Sequence, residues 1–145
     1  MVLATIGFFA LAVFGLGALS VATDTDIIAV PGLGQAPGAI GMLSAVVVFA
    51  LMLWSTLRRG NPSYVATVAI ALLAGITHLA AVWITVLIGS SDLVIATAVA
   101  GDLVRGGVSA VLVVAGLIAA WGGIALRRTR AEHPRWPWER DDDGE

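Results

Sequence analysis

The chain has 145 residues, 59% of them hydrophobic and 12% charged, with a formal net charge of −2. A soluble domain carries about a quarter charged residues, so this balance belongs to the membrane class and leaves too little basic surface for nucleic-acid binding. There is no cysteine, which excludes disulfides, thiolate catalysis and cysteine metal sites.

Four long uncharged apolar runs follow one another. The first, Val2 to Ala22, has 21 residues. Ser20-Val21-Ala22 has the small-x-small form of a signal cleavage site. No positive residue precedes the run, however, and it is longer than a signal core, so a retained first helix is expected. The connection that follows contains Pro31-Gly32, Gly34 and Pro37, residues that favour turns over strand. The second run is Gly38 to Leu57, ending at Arg58-Arg59. Gly60-Asn61-Pro62-Ser63 reads as a tight turn that starts the third run, Tyr64 to Gly89, in which His78 is the ionisable side chain at membrane depth. The fourth run is Gly107 to Leu126. A bilayer core of about 30 Å needs about 20 helical residues, so each run is long enough to cross it. Continuous apolar runs are helical rather than barrel-like. The predicted fold is all-α, an up-down-up-down four-helix membrane bundle over residues 1–130 with helices at about 2–22, 38–57, 64–89 and 107–126.

The segment 90–106 is ambiguous. Joined to the fourth helix it gives about 36 residues and about 54 Å, more than a bilayer accommodates. Either the fourth helix projects outside or it breaks near Gly106-Gly107 with the segment along the outer surface; glycine pairs break helices, and the break is the expected outcome. From Arg127 the chain turns polar. Residues 131–145 are too short and too charged to form a core, so a disordered cytoplasmic tail is expected, with Pro134-Arg135-Trp136-Pro137-Trp138 resting at the lipid interface.

Arginine placement sets the topology. Arg58 and Arg59 follow the second helix, and Arg127, Arg128 and Arg130 follow the fourth. The other connections carry Asp24, Asp26, Asp92 and Asp102 against one base, Arg105. The positive-inside rule therefore predicts a multi-pass protein of a bacterial cytoplasmic membrane with both termini in the cytoplasm. Trp54, Tyr64 and Trp121 fall near the inner surface and Trp83 near the outer one, as interfacial aromatics prefer.

Two groups of residues are candidate sites. Helical spacing puts His78 on a face with Tyr64, Thr67, Ala71, Ala74, Val82 and Thr85, a small or hydroxylated stripe that should point into the bundle. An ionisable group at this depth marks a functional site by default, as proton carrier or ligand. The structural alternative is a neutral imidazole hydrogen-bonded to a nearby hydroxyl or carbonyl, in which case His78→Gln would cost about 0.5–1.5 kcal/mol. Asp102 and Arg105, three residues apart, form the second group. They read as an outer ion pair, or as an anion-recognition point above a path lined by His78. No metal site is expected, because one membrane histidine supplies too few ligands and His133 lies in the tail. Small-x₃-small spacings at Gly41/Ala45, Ala71/Gly75, Ala115/Ala119/Gly123 and Gly116/Ala120 predict close helix contacts.

Small multidrug-resistance pumps need a carboxylate in the first helix, and Val2 to Ala22 has none; dual-topology fluoride channels carry an early Arg-bearing motif that is absent here. In its Arg-only, Ala/Val-rich composition and its Trp136-Pro137-Trp138 tail, the chain resembles the small four-helix membrane proteins of GC-rich actinobacterial genomes. That resemblance implies membrane placement and no activity. No nucleophile–base pair, paired carboxylates or cofactor motif stands out. The expected function is a non-enzymatic accessory or structural membrane subunit, in contact with the bilayer and with a membrane-protein partner or a second copy of itself, without cofactor. The alternative is a small transporter or channel using His78 and the Asp102/Arg105 pair.

Overall fold

The computed structural model describes residues 1–24, 32–59 and 63–131, without the side chains of residues 130 and 131. It is all-helical, with five helices: α1 (Val2–Thr23), α2 (Ala36–Arg58), α3 (Val65–Ser90), α4 (Leu93–Arg105) and α5 (Val108–Ala131). All but α4 are long and apolar enough to cross a membrane, so the chain is a multi-pass helical membrane protein. The spans match the four apolar runs to within about two residues at nearly every end. The exception is α5, which passes Leu126 and continues to Ala131. Arginine has high helix propensity and favours the negative end of the helix dipole, so Arg127 and Arg128 extend the helix rather than stop it. The tail from residue 132, the turn residues Gly60, Asn61 and Pro62, and Asp26 lie outside the described residues.

The segment 90–106 separates from the fourth span at the glycine pair. Gly107 takes a φ of 86°, a left-handed conformation that glycine adopts without strain. Asp92 starts α4: its Oδ1 accepts the backbone N–H of Val94 at 2.7 Å and of Ile95 at 3.3 Å. The acid read from sequence as a loop charge is thus a helix N-cap. α4 folds back on the end of α3, where Ala96 packs with Val82 and Val86, and Trp83 Nε1 donates to Thr97 Oγ1 at 3.4 Å.

Glycine contacts fix the registers. Gly75 faces Val113 and Gly116 faces Ala71, so α3 and α5 are antiparallel. Gly15 faces Val111 and Gly123 faces Ala4, so α1 and α5 are antiparallel. Gly41 faces His78 and Val82, and Leu33 lies against Gly89, so α2 is antiparallel to α3. The result is the up-down-up-down sense, in the spatial order α2, α3, α5, α1. α3 and α5 form the spine, α2 packs on α3, and α1 packs on α5; α1 and α2, neighbours in sequence, touch only lightly. Their firmest meeting is the stacked pair Phe8–Phe49, with ring centroids 4.4 Å apart and planes 12° apart.

The small-x₃-small residues lie at these contacts. Gly41, Ala45, Ala71, Gly75, Ala115, Gly116, Ala119, Ala120 and Gly123 are all buried. Close approach of backbones supplies the dispersion contacts that hold helices together in lipid, where apolar burial gives little net drive. At one end of the bundle, Arg128 lies 4.6 Å from the Tyr64 ring centroid and Arg58 lies 4.7 Å from that of Trp54. These cation–π contacts gather basic and aromatic side chains from α2, α3 and α5. Asp24 and Asp92 mark the opposite end.

A Cβ at Gly116 would lie 3.1 Å from Ala71 Cα, a backbone atom that cannot swing aside, whereas nothing lies within 4 Å at Gly122. Gly116→Val is therefore expected to cost about 1–3 kcal/mol and Gly122→Val much less. Thermal unfolding of both variants in one mild detergent checks this; equal losses would contradict the close α3–α5 approach.

Candidate functional site

Because α1 and α2 are held together mainly at Phe8–Phe49, the seam between them opens beyond that pair into a half-open cavity of about 570 Å³. This is roughly four times the ~150 Å³ of an engineered cavity that holds one benzene, and falls within the range of ligand sites. Phe9, Val13 and Leu16 line one wall from α1; Ala39, Met42, Leu43 and Val46 line the other from α2. His78 and Val82 of α3 form the back, and Leu103 and Val108, on either side of the Gly106-Gly107 break, close it off. Gln35, before the first turn of α2, contributes the one other polar side chain. Phe9, Val13 and Leu43 are also exposed on the outside of the bundle, so the mouth opens between apolar surfaces that face lipid.

His78 is 3% exposed. It is held from both sides. α3 supplies the buried stripe Thr67, Ala71, Ala74, His78 and Val82, as the spacing predicts. α2 supplies Gly41, whose missing side chain leaves room for the ring: a Cβ there would fall 3.0 Å from His78 Cδ2 and 3.1 Å from Nε2. Ile70, which is not one of the residues on that stripe, is buried as well, because α3 is covered by both α2 and α5. Tyr64 is exposed and Thr85 half-buried, so the ends of the stripe leave the interior.

The hydrogen bond expected of a buried imidazole is not made. His78 Nδ1 is buried and has no partner. Thr67 Oγ1 and Ser109 Oγ share that condition. The candidate hydroxyls cannot reach His78. Thr67 lies 11 residues below it on α3, about 16 Å along the axis, and Thr85 seven residues above, about 10 Å. Thr85 Oγ1 instead donates to the Ala81 carbonyl at 2.7 Å. Ser109 is closer in height: it lies one turn back along α5 from Val113, which meets Gly75, and so at about the level of His78. Sequence reasoning missed Ser109 as a buried polar group, and it missed Gly41 as the residue that seats the ring.

Asp102 and Arg105 do not join this site. Both side chains are exposed on the last turns of α4, and no ion pair links them. An exposed pair gains too little to hold two long side chains in one geometry. The Asp102 carbonyl accepts the Gly106 N–H at 2.7 Å and closes the helix. It is Leu103, between the two charged residues, that reaches the cavity. Arg58 and Arg59 are exposed at the end of α2, and Arg127 and Arg128 on the last turns of α5; the Arg130 side chain lies outside the described residues. Among the described residues, no group of three or more His, Cys, Asp or Glu is placed to hold a metal ion.

No family model matches the sequence, and no curated protein or solved structure matches it.

An unpartnered buried polar atom costs about 1–3 kcal/mol relative to a satisfied one. His78→Leu removes that cost at similar size. In lipid-poor detergent the variant is expected to be as stable as the parent or more so, by up to about 1–3 kcal/mol. Chemical or thermal unfolding checks this; a clear loss of stability would mean that the imidazole makes a hydrogen bond that holds the bundle.

Proposed function

We propose that the chain is a non-enzymatic accessory or structural subunit of a bacterial cytoplasmic membrane, and that it works by holding a membrane-dissolved hydrophobic molecule in the seam between α1 and α2. One observation carries this reading: a half-open apolar cavity of about 570 Å³ with a buried imidazole at its back. A pocket with mainly apolar walls and few polar groups is the form that a small-molecule site takes. An ionisable residue at membrane depth is a functional-site hypothesis by default. The transport reading has less support. The α4 and α5 residues that line the cavity are Leu103 and Val108, and Asp102 and Arg105 stand apart from it.

In this proposal both termini are cytoplasmic, with Arg58, Arg59, Arg127, Arg128 and Arg130 on the inner side and Asp24 and Asp92 outside. The cavity then lies in the outer half of the membrane, since Gln35 and the Gly106-Gly107 break sit towards the Asp end. The exposed apolar faces of α1, α2 and α5 remain for lipid, for a membrane-protein partner or for a second copy of the chain.

Extraction in mild detergent, followed by mass spectrometry of the lipophiles that stay bound, tests the seam. Val13 lines the cavity and is exposed outside, so Val13→Trp fills the mouth without entering the core. The parent is expected to retain a lipophile that Val13→Trp has lost. Equal lipid content in both would reject the seam as a binding site. For topology, a reporter active only outside the cytoplasm is expected to give signal when fused at Gly34 and none at the C-terminus; the reverse pattern would reject the inside-inside arrangement.

A further inference from the structure

Resting on the reading of the α1–α2 seam as a ligand site, we propose that its ligand is an uncharged lipophile with one hydroxyl or carbonyl group, seated with that group on His78. Three observations specify it. The walls contain no charged side chain, so a charged head placed inside would lose its hydration without a counter-charge. The body must be apolar and extended: the α2 wall runs from Gln35 to Val46, 11 residues and about 16 Å, and beyond Gln35 it consists of Gly38, Ala39, Met42, Leu43 and Val46. The head must form a hydrogen bond to be held at one place, because His78 lines the cavity and is, with Gln35 at its far end, its one polar side chain. A neutral imidazole offers one N–H donor and one bare nitrogen, so a hydroxyl or a carbonyl equally suits it. An alkane cannot make that bond.

Gly41 makes this arrangement possible. A side chain at residue 41 would meet the His78 ring and Val82 Cγ2, which lies 2.6 Å from where a Cβ would stand. Met42, next to Gly41, and Ala39, two residues before it, line the apolar wall of the cavity. The ligand's head therefore meets one polar group deep in the seam, while its body leaves through the lipid-facing mouth.

The test is binding of radiolabelled dodecanol to the full chain in nanodiscs, with dodecane, methyl decyl ketone and dodecanoate as competitors. One net hydrogen bond corresponds to about a three- to tenfold preference. The alcohol and the ketone are expected to compete better than dodecane by that factor, and dodecanoate to compete no better than dodecane. His78→Leu is expected to bring the alcohol down to the level of the alkane, while His78→Gln, which keeps a donor and an acceptor, holds most of the preference. Equal competition by alcohol and alkane in the parent, or a preference that survives His78→Leu, overturns the proposal while leaving the seam as an apolar site. If Val13→Trp leaves dodecanol binding unchanged, the seam itself is not the site, and the proposal falls with it.

Discussion

The close approach of α3 to α5 is the contact on which the rest of the structure depends. At Gly116 the two backbones come near enough that a side chain would strike the Ala71 backbone, and at Gly75 the room is filled by Val113. Lipid competes for every apolar side chain in a membrane, so association follows backbone proximity more than hydrophobicity. With α3 and α5 fixed as a spine, α2 is carried by α3 and α1 by α5. Each outer helix has one good neighbour. The seam that remains between them is closed by Phe8 on Phe49 and stays open above that pair. The cavity is thus a consequence of how four helices of this composition pack.

Its chemistry follows from the same spine. His78 lies on the strip of α3 that faces α2, opposite a glycine, and is buried because α2 covers it there. On α5, Ser109 lies at about the same level, with an oxygen that is itself buried and unpartnered. A buried polar group that the fold leaves unsatisfied either stores instability or awaits a ligand. The His78 ring also lines the neighbouring cavity, so a membrane solute carrying one hydrogen-bonding group would meet a polar side chain there.

Much of the fold was legible because membrane spans are written in long uncharged runs. The break at Gly106-Gly107 could be read from length together with the glycine pair, since 36 helical residues exceed the bilayer and length alone would also allow a helix projecting outside. The inward face of α3 followed from the spacing of Thr67, Ala71, Ala74 and His78, whereas Ile70 did not, because a single stripe cannot show that α3 is covered from two sides. The pairing of α1 with α5 rather than α2 was also hidden: it rests on contacts such as Gly15 with Val111 and Gly123 with Ala4, far apart in sequence. At the site, the sequence gives His78 its depth and its face. It does not give the Gly41 seat or the missing partner at Nδ1, which depend on which helix lies opposite. The Asp102/Arg105 pairing failed for an energetic reason, as spacing permits an ion pair that exposure makes too weak to form.

The central claim is that His78 stands at a groove that opens to lipid rather than at a sealed core or a water path. Solid-state NMR of the imidazole nitrogens in a bilayer tests it most directly. His133→Gln leaves His78 as the only histidine of a chain that has two. Magnetisation is then transferred to the ring nitrogens from acyl-chain methylene protons or from water, the two sources being separated by deuterating the lipid chains. The account predicts transfer from lipid methylenes that is lost on chain deuteration and reduced in Val13→Trp. Transfer from water alone, unaffected by either change, would contradict it.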